Sequence, residues 1–312
     1  MISAMMMGLL GCAPRYTDAP AMDPAELWAP LPIQYTQVQD MRLAYVDSDP
    51  SSSKPTLLFV HGLSSYLGFW EYQIPAFTDD YRVIAVDLPG YGASDRPDAA
   101  YTPPWFATVL TDFMDELELT SAVVVGHSMG GQIALTLALN APERVDALVL
   151  AAPAGFESFQ PGHAAWMKEY WHESRALDTP EENVRTNMTR MVFNHYDPGV
   201  ERLIEERVRI GRHESFAGTG VAVSRSVAGM LDYPVKDRLS QISAPTLIVF
   251  GTADRMIPNP VFNGGRTRGI AEAGQRAIPG SELFMIKGAG HSVFHDAPET
   301  FNKAMGEFLE SL

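Results

Sequence analysis

Short runs of apolar residues recur along most of the chain, and they predict the strands of a buried sheet. A strand pattern begins near Gln34, and aliphatic or β-branched runs follow at 56–60, 83–86, 122–125, 147–150, 246–250 and 283–286. Runs that are apolar on both faces are typical of parallel strands, which are covered on two sides. Segments with a helical pattern separate them, so we predict an α/β protein with a mostly parallel central sheet flanked by helices.

The alternation of strands and helices is interrupted between residues 156 and 242. This stretch is helical and aromatic, and it contains two signals for a helix start, TPEE at 179–182 and Asp197 followed by Pro198. We therefore predict a core formed by residues 33–155 and 243–312, with a helical cap inserted at 156–242. We expect the apolar side chains of this cap to form one wall of a pocket, namely Trp166, Met167, Tyr170, Trp171, Met188, Met191, Phe193, Phe216, Met230 and Leu231.

Residues 1–32 differ from the rest of the chain. Five prolines between 14 and 32 prevent a continuous helix and predict a tether. The single cysteine, Cys12, ends an apolar run, and the sequence LLGC at 9–12 resembles a bacterial lipobox, whose cysteine is lipidated. The run lacks the lysine or arginine of a signal peptide. Two interpretations stay open: a lipoprotein of the bacterial cell envelope, attached to the membrane through Cys12, or a cytoplasmic protein with an apolar arm.

Composition excludes several classes of function. The formal net charge of −15 argues against a partner that is a nucleic acid or an anionic membrane surface. One cysteine cannot form an intramolecular disulfide, a Cys-based zinc site or a CxxC pair. Neither a P-loop nor a dinucleotide-binding fingerprint follows the first strand. We therefore predict that the protein needs neither a metal nor a cofactor.

The sequence GHSMG at 126–130 has the form G-x-S-x-G. It follows the strand-like run at 122–125 and precedes a helix-like segment at 132–140, which is the structural context that the motif requires. The glycines leave room for a sharp turn with a strained serine at its apex. We predict that Ser128 is a nucleophile.

A serine hydroxyl needs a neighbouring base, and the base needs an acid that orients it. Asp254 follows the run at 246–250, and His291 follows the run at 283–286. The order along the chain is therefore serine, aspartate, histidine, which is the order expected when the serine lies in a turn between a strand and a helix. We predict Asp254 as the acid and His291 as the base. His295 and Asp87 are the rival base and acid, and we expect both to be structural.

The negative charge that develops on a substrate oxygen needs preorganised donors. The backbone N–H of Met129 is predicted as the first, because it follows the nucleophile at the start of a helix. The backbone N–H of Leu63, in the loop after the run at 56–60, is predicted as the second.

From about residue 34 to the end, the chain resembles the α/β-hydrolases, and among them the bacterial serine esterases and lipases with a G-x-S-M-G-G elbow. The resemblance rests on HG at 61–62, DLPGYGAS at 87–94, GHSMGG at 126–131, PTLIVFG at 245–251 with Asp254, and Gly290 with His291. It implies an α/β-hydrolase fold and hydrolysis of a small apolar ester of short to medium chain length.

The same motifs occur in C–C bond hydrolases, haloperoxidases that act as perhydrolases, lactonases and thioesterases, so these activities stay open. Epoxide hydrolases and haloalkane dehalogenases carry aspartate at the nucleophile, and Ser128 argues against both. A non-catalytic ligand receptor is a further alternative. All three predicted positions of the triad are present here, whereas such receptors usually have a damaged triad.

Overall fold

The computed structural model describes residues 15–173 and 179–312. An eight-stranded sheet forms the centre, in the order β1-β2-β4-β3-β5-β6-β7-β8. The strands β1 and β2 form a hairpin, β2 pairs antiparallel with β4, and all the other pairs are parallel. The predicted mostly parallel sheet is thereby confirmed. The strand bounds are β1 Gln34–Val38, β2 Met41–Asp47, β3 Thr56–Val60, β4 Arg82–Val86, β5 Ala122–His127, β6 Val145–Ala151, β7 Thr246–Gly251 and β8 Glu282–Ile286.

Helices cover both faces of this sheet. Successive side chains of a strand point to opposite faces. Leu58 and Val60 of β3 therefore belong to the core beneath the helices at 103–116, 129–140 and 267–277, whereas Leu57 and Phe59 belong to the core beneath those at 74–77, 293–296 and 298–310. The helices are α1 Ile74–Phe77, α2 Pro103–Glu116, α3 Met129–Asn140, α4 Pro161–Tyr170, α5 Glu181–Asn187, α6 Pro198–Ile210, α7 Phe216–Asp232, α8 Thr267–Ala277, α9 Val293–Asp296 and α10 Pro298–Glu310.

The helices α4 to α7 lie between β6 and β7 in the chain, within the stretch predicted as a cap. The start of α6 has the predicted N-cap, because the Asp197 carboxylate accepts a hydrogen bond from the Val200 N–H at 2.9 Å. The helix α5 begins at Glu181, one residue later than the sequence predicts, and Pro180 is its N-cap residue. The Glu181 carboxylate accepts hydrogen bonds from Tyr16 N–H and from the Thr17 hydroxyl, both of which belong to the N-terminal segment.

Residues 16–31, which we call the N-terminal strap, lie against α6. The Tyr16 hydroxyl donates to Glu201 at 2.7 Å, and Trp28 N–H donates to Glu206 at 3.1 Å. Prolines prevent a continuous α-helix here, and the strap contains one short 3-10 helix at Pro24–Glu26. Arg209 and Arg212 donate hydrogen bonds to carbonyl oxygens of the strap. The segment predicted as a tether is therefore packed from Tyr16 onward. Cys12, predicted as a lipidation site, lies outside the described residues.

Within residues 15–173 and 179–312, no helix combines the length and the apolar character needed to cross a membrane.

Candidate active site

Ser128 occupies the turn between β5 and α3. Its backbone has φ 52° and ψ −115°, a positive-φ conformation that non-glycine residues rarely adopt. Ser128 has intermediate exposure, whereas its neighbours His127 and Met129 are buried. A Cβ atom at Gly130 would lie 2.3 Å from the Val60 carbonyl oxygen, so a side chain there is excluded. The first turn of α3 thus packs directly on the end of β3 and presents the serine above the sheet.

Asp254 and His291 are in direct contact. His291 Nδ1 lies 3.0 Å from Asp254 Oδ2, and the two side chains are 3% and 0% exposed. The other carboxylate oxygen accepts hydrogen bonds from the N–H groups of Met256 at 2.8 Å and Ile257 at 3.1 Å. A carboxylate can only accept hydrogen bonds, so the proton between the two side chains lies on His291 Nδ1. The lone pair of His291 Nε2 is therefore free to act as a base.

The loops that carry these two residues are joined by backbone hydrogen bonds. Thr252 N–H donates to the Ile286 carbonyl, and Ala253 N–H donates to the Ala289 carbonyl, each at 2.9 Å. The contact between acid and base is therefore fixed by the ends of the adjacent strands β7 and β8.

His127 connects the serine turn to His291. Its ring lies 4.9 Å from the His291 ring, and its Nε2 lies 3.3 Å from the His291 carbonyl oxygen. In the described part of the chain, no hydrogen bond joins the Ser128 hydroxyl to His291. Catalytic hydrogen bonds are often long in the free enzyme and shorten when substrate binds. The structure thus brings Asp254 and His291 together and places Ser128 directly after the residue that supports His291.

The two predicted oxyanion donors follow β3 and β5. Across residues 15–173 and 179–312, no atom accepts a hydrogen bond from the backbone N–H of Leu63 or of Met129. A Cβ atom at Gly62 would lie 2.9 Å from His127 Nδ1, so the loop that contains Leu63 lies against the serine turn. Met129 begins α3, where the helix dipole favours negative charge.

Two buried histidines support this region. His61 donates from Nδ1 to the Gly62 carbonyl at 2.8 Å and accepts at Nε2 from Leu88 N–H at 3.0 Å. Burial lowers the pKa of His61 to about 4 and holds the pKa of His127 well below its usual range, so both rings are neutral at pH 7. Neither histidine is among the site residues predicted from the sequence. Their positions inside the HG and G-x-S-x-G motifs were the available signal.

Asp87 and His295, the rival acid and base, form hydrogen bonds with groups outside the candidate triad. The Asp87 carboxylate accepts hydrogen bonds from Leu67 N–H at 2.7 Å and Ala93 N–H at 2.8 Å, and burial raises its pKa to about 6. His295 Nε2 bonds Glu71 Oε1 at 2.9 Å. These contacts agree with the structural roles expected of both residues.

His291 and His295 have the i, i+4 spacing found in some zinc sites, a feature that the sequence analysis overlooked. Their side chains bond different carboxylates, those of Asp254 and Glu71. No group of three or more potential metal ligands occurs in the described ranges.

Comparison with known proteins adds to this geometry. Residues 55–298 match the profile of the family described as alpha/beta hydrolase fold. The dihydrolipoyllysine-residue acetyltransferase component of the acetoin cleaving system of Cupriavidus necator is 27% identical over 295 residues, which are 94% of this chain and 73% of that protein.

Two solved structures are similar over nearly the whole chain. A probable hydrolytic enzyme of Pseudomonas aeruginosa has a TM-score of 0.83 and 26% identity, over 93% of this chain and 99% of the other. The carboxylesterase CesB of Bacillus subtilis has a TM-score of 0.71 and 26% identity, over 92% of this chain and 94% of the other. The family match at 55–298 includes the strands whose ends carry Ser128, Asp254 and His291.

Proposed function

The chain belongs to the α/β-hydrolase fold family, and from that premise we propose that it is a serine hydrolase that cleaves short- to medium-chain carboxylic esters through an acyl-enzyme. Its family and its structural relatives make it a hydrolase. The observation that carries the finer proposal is the buried 3.0 Å contact between Asp254 and His291, next to the strained turn at Ser128. A neutral histidine held by a carboxylate beside a serine is the arrangement that activates a hydroxyl.

In the proposed reaction, His291 Nε2 removes the proton from the Ser128 hydroxyl as the oxygen attacks the ester carbonyl. The resulting oxyanion accepts hydrogen bonds from the N–H groups of Leu63 and Met129. His291 then gives the proton to the leaving alcohol, and the C–O bond of the ester breaks. Asp254 keeps its negative charge throughout and stabilises the imidazolium.

The second half of the reaction repeats this chemistry with water. His291 removes a proton from a water molecule, which attacks the acyl group on Ser128. The same two N–H groups stabilise the second oxyanion. Collapse of this intermediate releases the carboxylic acid and returns the proton to Ser128, so the enzyme is regenerated with no cofactor.

The choice of an ester is supported by the carboxylesterase of Bacillus subtilis, which shares 26% identity over 92% of this chain. C–C hydrolases, lactonases, thioesterases and perhydrolases use the same side chains with other pockets. Assays with 4-nitrophenyl esters, with peroxide, with a vinylogous diketone, with a lactone and with an acyl thioester separate these activities. Turnover of the diketone without turnover of any ester would replace the proposal by a C–C hydrolase.

The direct test is Ser128→Ala, with Ser53→Ala, an exposed serine before β3, as the control. We expect Ser128→Ala to lose about 10⁵- to 10⁶-fold in kcat for 4-nitrophenyl butyrate, because it removes the attacking atom. The control should keep wild-type turnover. A fluorophosphonate should label the wild type at Ser128, as mapped by peptide mass spectrometry. Labelling at another residue would refute the assignment of the nucleophile.

A further inference from the structure

A narrow cavity of about 20 Å³ lies between the loop after β3 and the cap helices α6 and α7. It starts next to Leu63, because Ser64 and Ser65 line it. Tyr91, another lining residue, packs edge-on against His61, with ring centroids 5.5 Å apart. A cavity needs roughly 10–15 Å³ for each water-sized group, so this one holds one or two such groups and is too small for an alkyl chain.

Arg207 of α6 lines this cavity and has no anionic partner. Its guanidinium lies 4.5 Å from the ring centroid of Phe216, which also lines the cavity. It makes no hydrogen bond or salt bridge with any residue that the structure describes. Burial lowers its pKa to about 10, so the group stays charged at neutral pH. The Arg207 side chain is only partly exposed, and its guanidinium is available to pair with an anion that enters the cavity.

Arg96 provides a second positive charge at the same cavity. Its guanidinium donates to the Thr219 hydroxyl at 3.0 Å and to the carbonyls of Ser94 and Gly92, each at 2.8 Å. These neutral acceptors fix the orientation of the group without cancelling its charge. Among the described residues, no carboxylate lies within salt-bridge distance of Arg96.

Glu206 is the acidic residue that lines the cavity, and its charge is partly balanced by Arg202, which also pairs with Glu71 at 2.9 Å. Arg202 Nη1 bonds Glu206 Oε2 at 3.1 Å, and Trp28 N–H donates to Oε1 at 3.1 Å. The Tyr66 hydroxyl donates to the same carboxylate. The residues that line the cavity therefore carry two positive charges, on Arg96 and Arg207, against the one negative charge of Glu206.

We propose that this cavity binds a carboxylate group of the ester substrate, held by Arg207 and facing Arg96. Two carboxylate oxygens match both the planar fork of a guanidinium and the size of the cavity, whereas a phosphate group is larger. The cavity adjoins the loop of Leu63, so a substrate with its ester at Ser128 extends past that loop. This inference rests on the proposed esterase function, and it narrows the substrate to esters that carry an acid.

The first test compares matched esters in the wild type and in Arg207→Gln. One pair differs in the acyl group, 4-nitrophenyl hemisuccinate against 4-nitrophenyl butyrate. The other differs in the alcohol, the acetyl ester of 4-hydroxybutyrate against butyl acetate. We expect the ratio of kcat/KM for acidic over neutral substrate to fall about 10- to 100-fold in the variant, for at least one pair, as a charge-assisted hydrogen bond is lost.

Two further variants separate charge from position. Arg207→Lys keeps the charge and should retain part of the ratio. Arg209→Gln removes an equal charge from the same helix, where Arg209 pairs with Glu205 at 2.9 Å, and should keep the wild-type ratio. Equal ratios in wild type and Arg207→Gln for both pairs would overturn the proposal.

A binding measurement keeps this test independent of esterase activity. Succinate should raise the melting temperature of the wild type and of Arg209→Gln, but not that of Arg207→Gln. Stabilisation by inorganic phosphate without stabilisation by succinate would refute the carboxylate assignment. If no ester is cleaved but succinate binding depends on Arg207, the esterase proposal fails while the anion site stands.

Discussion

Ser128 shows which part of the site the sequence can encode locally. The glycines around it predict a sharp turn, and the structure gives this turn a φ of 52°. The hydrogen bond between His127 and the His291 carbonyl joins residues 164 positions apart, and no local pattern encodes it. Residue types and their order thus predict the candidate triad, whereas the contacts that support it arise only when β5 and β8 lie in one sheet.

The first prediction at the residue scale concerns the acid. Asp254→Asn should lower kcat by about three to four orders of magnitude, because the amide favours the wrong tautomer of His291. Adding His291→Ala to this variant should lower kcat little further, since the three residues act as a unit. Steady-state kinetics on the single and double variants, with 4-nitrophenyl butyrate as substrate, measure both effects.

Asp87→Asn is the matched control for this experiment. Both Asp87 oxygens accept backbone N–H groups, so this substitution should destabilise its loop and lower the melting temperature. The kcat of Asp87→Asn, calculated per folded molecule, should remain far above that of Asp254→Asn. The opposite order of the two kcat values would make Asp87 the acid.

The second residue-scale prediction concerns acid stability. The unfolded state protonates His61 near pH 6.5, whereas burial lowers the native pKa to about 4. Acid therefore favours unfolding in this window, and His61 removes about 3 kcal/mol of stability between pH 7 and pH 4. Asp87, whose pKa is raised to about 6, has the opposite effect, because the native state binds its proton first as the pH falls.

His61→Gln isolates the histidine, because Asp87 is present in both proteins. The variant should be less stable than the wild type at pH 7, where it disturbs the Leu88 hydrogen bond. The difference should shrink by about 3 kcal/mol towards pH 4. Urea unfolding at several pH values measures the difference in unfolding free energy between the wild type and His61→Gln. If this difference is the same at every pH, the native pKa of His61 is not shifted.

At the scale of elements, the apolar pattern predicts the parallel strands well and misses charged strand ends. The structure begins β4 at Arg82, one residue before the predicted run. Arg82 can be buried because its guanidinium forms a bidentate pair with Asp47 of β2, with Nε to Oδ1 at 3.2 Å and Nη2 to Oδ2 at 2.6 Å. A charged residue usually marks an exposed position, and only the pairing of β2 with β4 changes this.

The apolar residues of the cap have different environments, which periodicity cannot distinguish. Trp166 and Tyr170 of α4 are 51% and 37% exposed. Met188 and Phe216 are buried and line the cavity beside Leu63. The pattern identified the helices of the insert, but the face that each turns towards the site depends on packing against the core loops.

This division gives the prediction at the element scale. Met188→Ala enlarges the cavity that we propose binds the substrate carboxylate, and it should raise kcat/KM for 4-nitrophenyl hemiadipate relative to hemisuccinate by roughly tenfold, because the longer acid gains room. Trp166→Ala removes a larger side chain from the exposed surface of α4, and it should keep the wild-type chain-length profile. A profile that changes only in Trp166→Ala would place the acyl pocket beneath α4.

At the scale of the whole molecule, the net charge and the cavity have opposite signs. The chain has a net charge of −15, which repels anions at long range. Inside the cavity, the guanidinium groups of Arg96 and Arg207 make the local charge positive. Composition alone therefore argues against acidic ligands, and the exception that we propose depends on how α7 packs over the loop of Arg96, where Thr219 accepts a hydrogen bond from the guanidinium at 3.0 Å.

The N-terminal strap changes what a lipid anchor at Cys12 would do. Tyr16 is already hydrogen-bonded to Glu181 and Glu201. Only residues 13–15 separate it from Cys12, a span of about 14 Å at most when extended. A lipidated Cys12 would therefore hold the cap close to the membrane surface, in place of a domain on a tether of about 20 residues.

The last prediction tests this arrangement in a bacterial host. If LLGC at 9–12 acts as a lipobox once a complete signal sequence precedes it, wild type should fractionate with the membrane and carry added mass on Cys12, because two or three acyl chains on one residue are sufficient for stable anchoring. Cys12→Ser should be found in the soluble fraction with an unmodified mass. Purified in detergent, both proteins should hydrolyse 4-nitrophenyl butyrate equally, since Ser128, Asp254 and His291 lie in the core beyond the strap. A wild type that stays soluble, with an unmodified cysteine, would reduce residues 1–12 to an apolar arm.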